Sequence, residues 1–289
     1  MTLVLSPCAG FGNRIRSLCG GIILAKDLGL TIEHLWDGGE YKTAAHHSAH
    51  FQHIQETHDL GYEHFFEPKI NRYRDKSIST YYNEWNNTIG WFQYQNYAYK
   101  KLKFTDINLL SADTIIKDSS ICIETTQIPF PISNQQYTET YKEYFIPHEK
   151  YLNQLPTLQE NTIGISIRNG DDFRTYFTDC IVEEKDLIPF LQQFEQPVVL
   201  FSDKKDYAKH LRTFLKHPVE IPFENNSIKE KNFLEFLTLA NCSHIYGTKK
   251  SSFAEEAALF RGASYTPIVI EKLNLPEPDV NISEENKSR

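Results

Sequence analysis

Three short stretches of the chain gather residue types that bind anions. The first, SPCAGFGNRIR (residues 6–16), sets Gly10 and Gly12 around Phe11 and continues into Asn13, Arg14 and a second arginine. An apolar run, TLVLS, leads into it, and Leu18, Ile22, Ala25 and Leu28 follow at helical spacing, so the stretch reads as strand, glycine turn and helix. Such a turn points backbone N–H groups and the positive end of the helix dipole at whatever lies above it, which suits a phosphate or a sugar. Glycines in that place also serve a tight turn by itself, where a side chain would clash.

The second stretch, ISIRNGDDF (165–173), ends a buried strand in Arg168, turns at Asn169 and Gly170, and runs into Asp171 and Asp172. A guanidinium at a strand end suits a pyrophosphate, because its planar fork donates two hydrogen bonds and keeps its charge. A salt bridge from Arg168 to Asp171 or Asp172 would serve the loop equally. In the third, GTKKSSFAEEAALF (247–260), Lys249 and Lys250 precede Ser251 and Ser252 where a helix begins. Ser252 with Glu255 matches a capping box. The same helix start offers N–H groups, hydroxyls and ammonium charges to a phosphate.

The frame that positions these stretches is clearest in the second half. There TIGISI, PVVLFSD, VEIP, SHIYG and TPIVIE read as strands, alternating with helical EEKDLIPFLQQF, KKDYAKHLRTFLK, EKNFLEFLTLANC and SSFAEEAALFRG. That rhythm predicts parallel strands with helical crossovers, and ligands at the strands' carboxyl ends. Asp203, between PVVLFS and the next helix, lies at a strand end beside the cleft and is also a natural N-cap. The first half repeats the opening pattern with LTIEHLW. From about residue 40 to 110 it becomes aromatic and polar, and YYNEWNNTIGWFQYQNYAYKK reads as aromatic loops over a small core, with a sugar-lining role as the alternative. YKEYFIPHEKYLNQLPTLQEN, helical and interrupted by proline, carries the chain between halves. Two α/β domains follow, residues 1–150 and 151–289, with a cleft between them.

Composition narrows the function. Thirty basic against thirty-eight acidic residues leave a net charge of −8, so no global field holds a nucleic acid, and an anionic ligand needs a local cluster. The five cysteines form no C-x-x-C pair and read as reduced thiols of a cytoplasmic protein. Neither a signal peptide nor a membrane span is expected. His46, His50 and His53 share a helical face at metal-ligating spacing, but no H-E-x-x-H frame surrounds them and surface histidines are the expectation. The P-loop pattern G-x-x-x-x-G-K-[ST] is absent.

Taken in order, GFGNR, IRNGDD and the run L-x-x-C-x-x-x-x-G-x-x-x-SSF resemble the GDP-fucose-dependent fucosyltransferase superfamily, which includes the protein O-fucosyltransferases and bacterial α-1,2- and α-1,6-fucosyltransferases. The resemblance implies a GT-B-like α/β fold, two Rossmann-like domains facing across a cleft, with 1–150 on the acceptor side and 151–289 holding the nucleotide sugar. It places Arg168 on the arginine that meets the β-phosphate of GDP, and Ser251, Ser252 and Phe253, with Lys250 beside them, on the motif that contacts diphosphate and base. Glu235 falls where relatives carry an acid that reads the guanine edge. Gly10, Phe11, Gly12, Asn13 and Arg14 fall on the motif facing sugar and acceptor.

The activity so implied is inverting transfer of fucose from GDP-fucose to a glycan or glycoconjugate hydroxyl, with no metal and no cofactor. Arg168 would stabilise the leaving diphosphate, and Asp171, Asp172 or Asp37 would accept the hydroxyl proton. Ser166 stands where the family has a histidine, Phe173 where it often has tryptophan, and Ala9 where some relatives have a carboxylate. These departures leave the general base unassigned. Because the motifs mostly grip GDP, a transferase for another GDP-sugar stays open, and Ser166 and Ala9 keep open a GT-B-like nucleotide- or carbohydrate-binding protein without catalysis.

Overall fold

The computed structural model describes residues 2–7, 10–36, 61–74, 80–83, 88–93, 96–98, 120–125, 132–170, 174, 177–223 and 226–269. The chain opens with strand β1 (Thr2–Pro7) and helix α1 (Phe11–Asp27). Phe11, Ile15, Leu18, Ile22 and Ile23 are all buried, so α1 is an interior helix rather than a surface one. Then come β2 (Thr31–His34), a short α2 (Tyr62–Phe65), β3 (Asn71–Arg72), β4 (Thr80–Asn83), β5 (Thr88–Gln93), β6 (Asn96–Ala98) and β7 (Ser120–Thr125). They form one seven-stranded sheet in the order β3-β2-β1-β7-β4-β5-β6. Pairs from β3 through β4 are parallel, and β5 and β6 add antiparallel strands at the far edge. The segment read as aromatic loops thus contributes three strands. Its Tyr, Trp, Ile and Thr residues favour a pleated surface, while the interspersed asparagines hide the period.

Helices α3 (Asn134–Tyr144) and α4 (Glu149–Leu152) follow. A full capping box, Ser133 with Gln136, starts α3. The second sheet holds β8 (Ile163–Ile167), β9 (Val198–Ser202), β10 (His244–Thr248) and β11 (Ser264–Ile268), all parallel, in the order β11-β10-β8-β9. Its helices are α5 (Glu184–Gln192), α6 (Lys205–Arg212), α7 (Ile228–Ala240) and α8 (Ser252–Arg261). VEIP is not a strand. Beside β9 the chain makes only an isolated Pro218–Val198 bridge, with the Val219 N–H donating to the Val198 carbonyl, and the next carbonyl on that edge of β9, that of Leu200, accepts from the Arg212 guanidinium instead. From β8 the chain goes outward to β9 and then returns past β8 to β10, so the strand order reverses between β8 and β10. In open parallel sheets that switch point is where a crevice for ligand opens.

One apolar cluster unites the two sheets, joining Phe11 and Ile22 of α1, Phe65 of α2, Tyr141 of α3, Phe233 of α7 and Phe260 of α8. A second lies under α5 and α6, with Ile165, Ile167, Leu187, Phe190 and Leu211. Helix α3 is therefore more than a connection: Tyr141 is fully buried in the shared core. Among the described residues no helix is long and apolar enough to cross a membrane.

Candidate functional site

The carboxyl ends of β8, β9 and β10 bring three chain segments together. Immediately past β8, the Arg168 N–H donates to Thr248 Oγ1 at 2.9 Å, tying this loop to the end of β10. The next two N–H groups, of Asn169 and Gly170, donate to the Asp203 carboxylate at 2.8 and 2.9 Å, and Arg168 Nε lies 3.4 Å from the same carboxylate. Asp203 thus holds the arginine loop instead of capping α6, whose N-cap residue is Lys204. A Cβ on Gly170 would stand 2.7 Å from Asp203 Oδ2, so any other residue there would displace the carboxylate. The Arg168 side chain remains 40% exposed at the strand edge. Among the described residues it pairs with Asp203; Asp171 and Asp172 lie outside them, as does Asp37. Ser166 is buried within β8.

Beyond β10, Lys250 adopts φ 66°, the left-handed turn that aims α8 back across the sheet edge. Its ammonium sits 3.2 Å from Asp179 and over the Phe177 ring. The capping box read from Ser252 and Glu255 does not form. Helix α8 begins at Ser252 with Ser251 as N-cap, and Glu255 is drawn to Arg16, 2.6 Å away. The Ser251 side chain caps nothing. Its N–H donates to the Thr248 carbonyl at 2.9 Å, and its Oγ is buried with no hydrogen-bond partner among the described residues. A buried hydroxyl left so is costly unless a ligand or water meets it.

The first glycine turn meets the same place from the other sheet. A Cβ on Gly12 would lie 2.7 Å from the backbone of Ser252 and Phe253, so the starts of α1 and α8 touch through bare backbone. Gly10, the N-cap of α1, supplies no side-chain cap, and the first turn of α1 carries no acidic residue. Two uncapped positive helix ends side by side favour an anion between or above them. Gly10 and Asn13 are half-buried at this junction. Phe11 and Arg14, read as ligand contacts, belong instead to the core. The Phe11 ring packs against Trp36, Phe65, Phe233 and Phe236, and the buried Arg14 guanidinium donates to the Trp36 carbonyl. Glu235 sits within α7, mostly buried, 3.5 Å from Lys231. Its neighbour Phe236 packs edge-on to Phe253, which places α7 behind the start of α8.

Sequence reasoning missed a second polar group at this junction. Arg16 of α1 donates through Nη2 to Glu255 and through Nε to Glu256, and Tyr141 of α3 donates its hydroxyl to Glu256 as well. Glu256 is fully buried. Burial pushes its carboxyl above the usual range, against the pull of the Arg16 charge. The i, i+3 and i, i+4 offsets of these residues within their own helices give no hint of a pairing that spans 240 positions. Among the described residues no group of three or more His, Cys, Asp or Glu could hold a metal ion; His46, His50 and His53 lie outside them. Cys19, Cys180 and Cys242 are buried free thiols.

No model of a known protein family matches the sequence, and no curated protein sequence matches it either. Solved structures do. The crystal structure of POFUT1 in complex with GDP-fucose superposes with a TM-score of 0.59 at 12% identity, covering 92% of this chain and 98% of that one. NodZ α-1,6-fucosyltransferase co-crystallised with GDP gives 0.55 at 16% identity, covering 89% and 92%. NodZ from Bradyrhizobium gives 0.54 at 15%, covering 89% and 93%. The likeness is one of fold: the chain has the GT-B-like α/β architecture of these fucosyltransferases.

Proposed function

We propose that the protein is a glycosyltransferase that uses GDP-fucose, binding the diphosphate where α8 begins and transferring fucose to a glycan or glycoconjugate hydroxyl in the cytoplasm. One observation carries the reading: the uncapped start of α8, with the buried and unpartnered Ser251 Oγ, stands beside the end of β8 that presents Arg168. A diphosphate satisfies both, taking hydrogen bonds from helix N–H groups and serine hydroxyls and charge from the guanidinium. Lys250 is within the same turn and would exchange Asp179 for phosphate. Support for the guanosine nucleotide comes from neighbours of the same fold that bind GDP-fucose and GDP, and from the order of the three motifs.

In this reading the acceptor oxygen attacks the sugar C1 from the face opposite the diphosphate, the C1–O bond to phosphate breaks, and configuration inverts. Negative charge grows on the leaving GDP, where Arg168 and the α8 start stabilise it. The hydroxyl proton passes to a carboxylate, with Asp171, Asp172 and Asp37 as the candidates. Glu235 would accept from the guanine N1–H and N2–H₂. No metal is required, since the arginine and the helix end supply the positive charge.

Thermal unfolding in excess EDTA tests the proposal. GDP at a hundredfold excess over its Kd should stabilise the fold by about 2.7 kcal/mol, and UDP, CMP and ADP should leave Tm unchanged. Stabilisation by UDP alone, or by GDP only with Mn²⁺ restored, would reject the nucleotide or the metal-free part respectively. Turnover of GDP-fucose, compared with other GDP-sugars, then identifies the donor.

A further inference from the structure

Arg16 sits on α1, in the half of the chain that does not carry the α8 diphosphate site, yet it reaches into that helix. The Glu255 N–H donates to the Ser251 carbonyl, so Glu255 and Glu256 lie one turn inside the helix whose start is proposed to bind the donor. Two carboxylates there oppose a diphosphate across about two helical turns, the buried Glu256 through protein and the half-exposed Glu255 partly through solvent. Acid in a first turn ordinarily steadies a helix start, but here it competes with the ligand for the same positive end. The ion pairs of both carboxylates, among the described residues, are with the one guanidinium of Arg16, whose fork spans them.

We infer that Arg16 is a positioning residue for the donor diphosphate: acting through Glu255 and Glu256, it offsets their charge and fixes α8 so that the helix start stays electropositive. Three features of the junction support it. Glu256 is fully buried and also accepts from Tyr141, so the carboxylate, and Arg16 with it, cannot swing away. Gly12, one turn before Arg16, touches the backbone of Ser252 and Phe253, so the same face of α1 that carries Arg16 abuts the ligand-binding turn. Arg16 is itself mostly shielded from solvent, where its charge is poorly screened. The inference rests on the donor-binding reading above, and it adds that the site in the second half depends on a charge supplied by the first.

The test compares GDP with guanosine, which lacks the diphosphate, by calorimetric titration of wild type, Arg16→Gln, Arg16→Lys and Glu255→Gln, each checked for fold by circular dichroism. Arg16→Gln should weaken GDP about tenfold, the effect of uncovering roughly one unit charge at about 10 Å with an effective dielectric near 20, and leave guanosine unchanged. Arg16→Lys, which keeps the charge, should restore most of the GDP affinity. If Arg16→Gln does not fold, Glu255→Gln carries the test: it removes one opposing charge at a half-exposed position and should tighten GDP several-fold without changing guanosine. A folded Arg16→Gln that binds GDP like wild type, or that loses GDP and guanosine by the same factor, overturns the inference, and so does a Glu255→Gln whose GDP affinity is unchanged or weaker. Wild-type protein that ignores GDP rejects the donor-binding reading itself, a result that the variants are not needed to see.

Discussion

At the scale of single residues, the proposed activity turns on Arg168, at the crevice between β8 and β10. Its backbone is pinned by Thr248 and its loop by Asp203, so the side chain is held at the sheet edge while remaining substantially exposed. Truncation opens no core cavity. Arg168→Ala should therefore keep Tm near wild type and lower kcat by about 10²–10³, the usual loss when a donor to developing charge is removed. Arg168→Lys should recover only part, since a point charge replaces the planar fork. Steady-state kinetics beside a melting curve separates this from the alternative in which Arg168 only braces Asp203; that alternative gives a lower Tm with normal kcat. The residue types at this edge are legible from the sequence. The pairing of Arg168 with Asp203 is not, because Asp203 arrives from a different strand 35 positions on.

At the scale of elements, the contact between α1 and α8 explains Gly12 of the opening turn, while open space surrounds Gly10. Gly10 starts α1 without a side-chain cap, and Gly12 lets that start press against the first peptides of α8. Gly12→Ala inserts a methyl group against backbone that cannot rotate away. It should cost about 1–3 kcal/mol, as overpacking does, and lower Tm by several degrees. Because the displaced peptides are those of Ser252 and Phe253, the same variant should lose GDP-induced stabilisation. A Gly12→Ala protein with full GDP stabilisation would show that the junction and the nucleotide site are separate. Helical spacing predicts α1 and α8 individually. Their meeting depends on Leu, Ile and Phe side chains whose partners are named only by packing, and packing likewise sets the start of α8, where Ser251 rather than Ser252 is the N-cap and Glu255 pairs with Arg16.

At the scale of the molecule, the two sheets are not independent bodies. Residues of α1, α2 and α3 share one buried cluster with residues of α7 and α8, and the Arg16–Glu256–Tyr141 group lies across the same seam. Denaturant unfolding should accordingly be a single transition. All three tryptophans lie before residue 100, so fluorescence reports the first half while far-ultraviolet circular dichroism reports helices of both. The two probes should give one midpoint, and GDP should raise both together. A fluorescence midpoint that GDP leaves in place would mean that the halves unfold separately.

By itself, the sequence determined the α/β class, the alternation of strands and helices in the second half, and the three stretches where anion-binding residues accumulate. Each of these is a local property: apolar period, turn residues, and side-chain chemistry at a strand or helix end. Only the tertiary structure decided which residues face the crevice. Phe11 and Arg14 look as available as Asn13 in the chain, yet α1 is interior and turns them into the core. Asp203 looks like a cap and is a loop anchor, and Arg16, one more cation in a run, becomes the counter-charge of a helix in the other half. The physical reason is common to all of them. A side chain's role depends on the charge and dielectric around it, and those are set by residues about 35 to 240 positions distant that only the packed fold brings within reach.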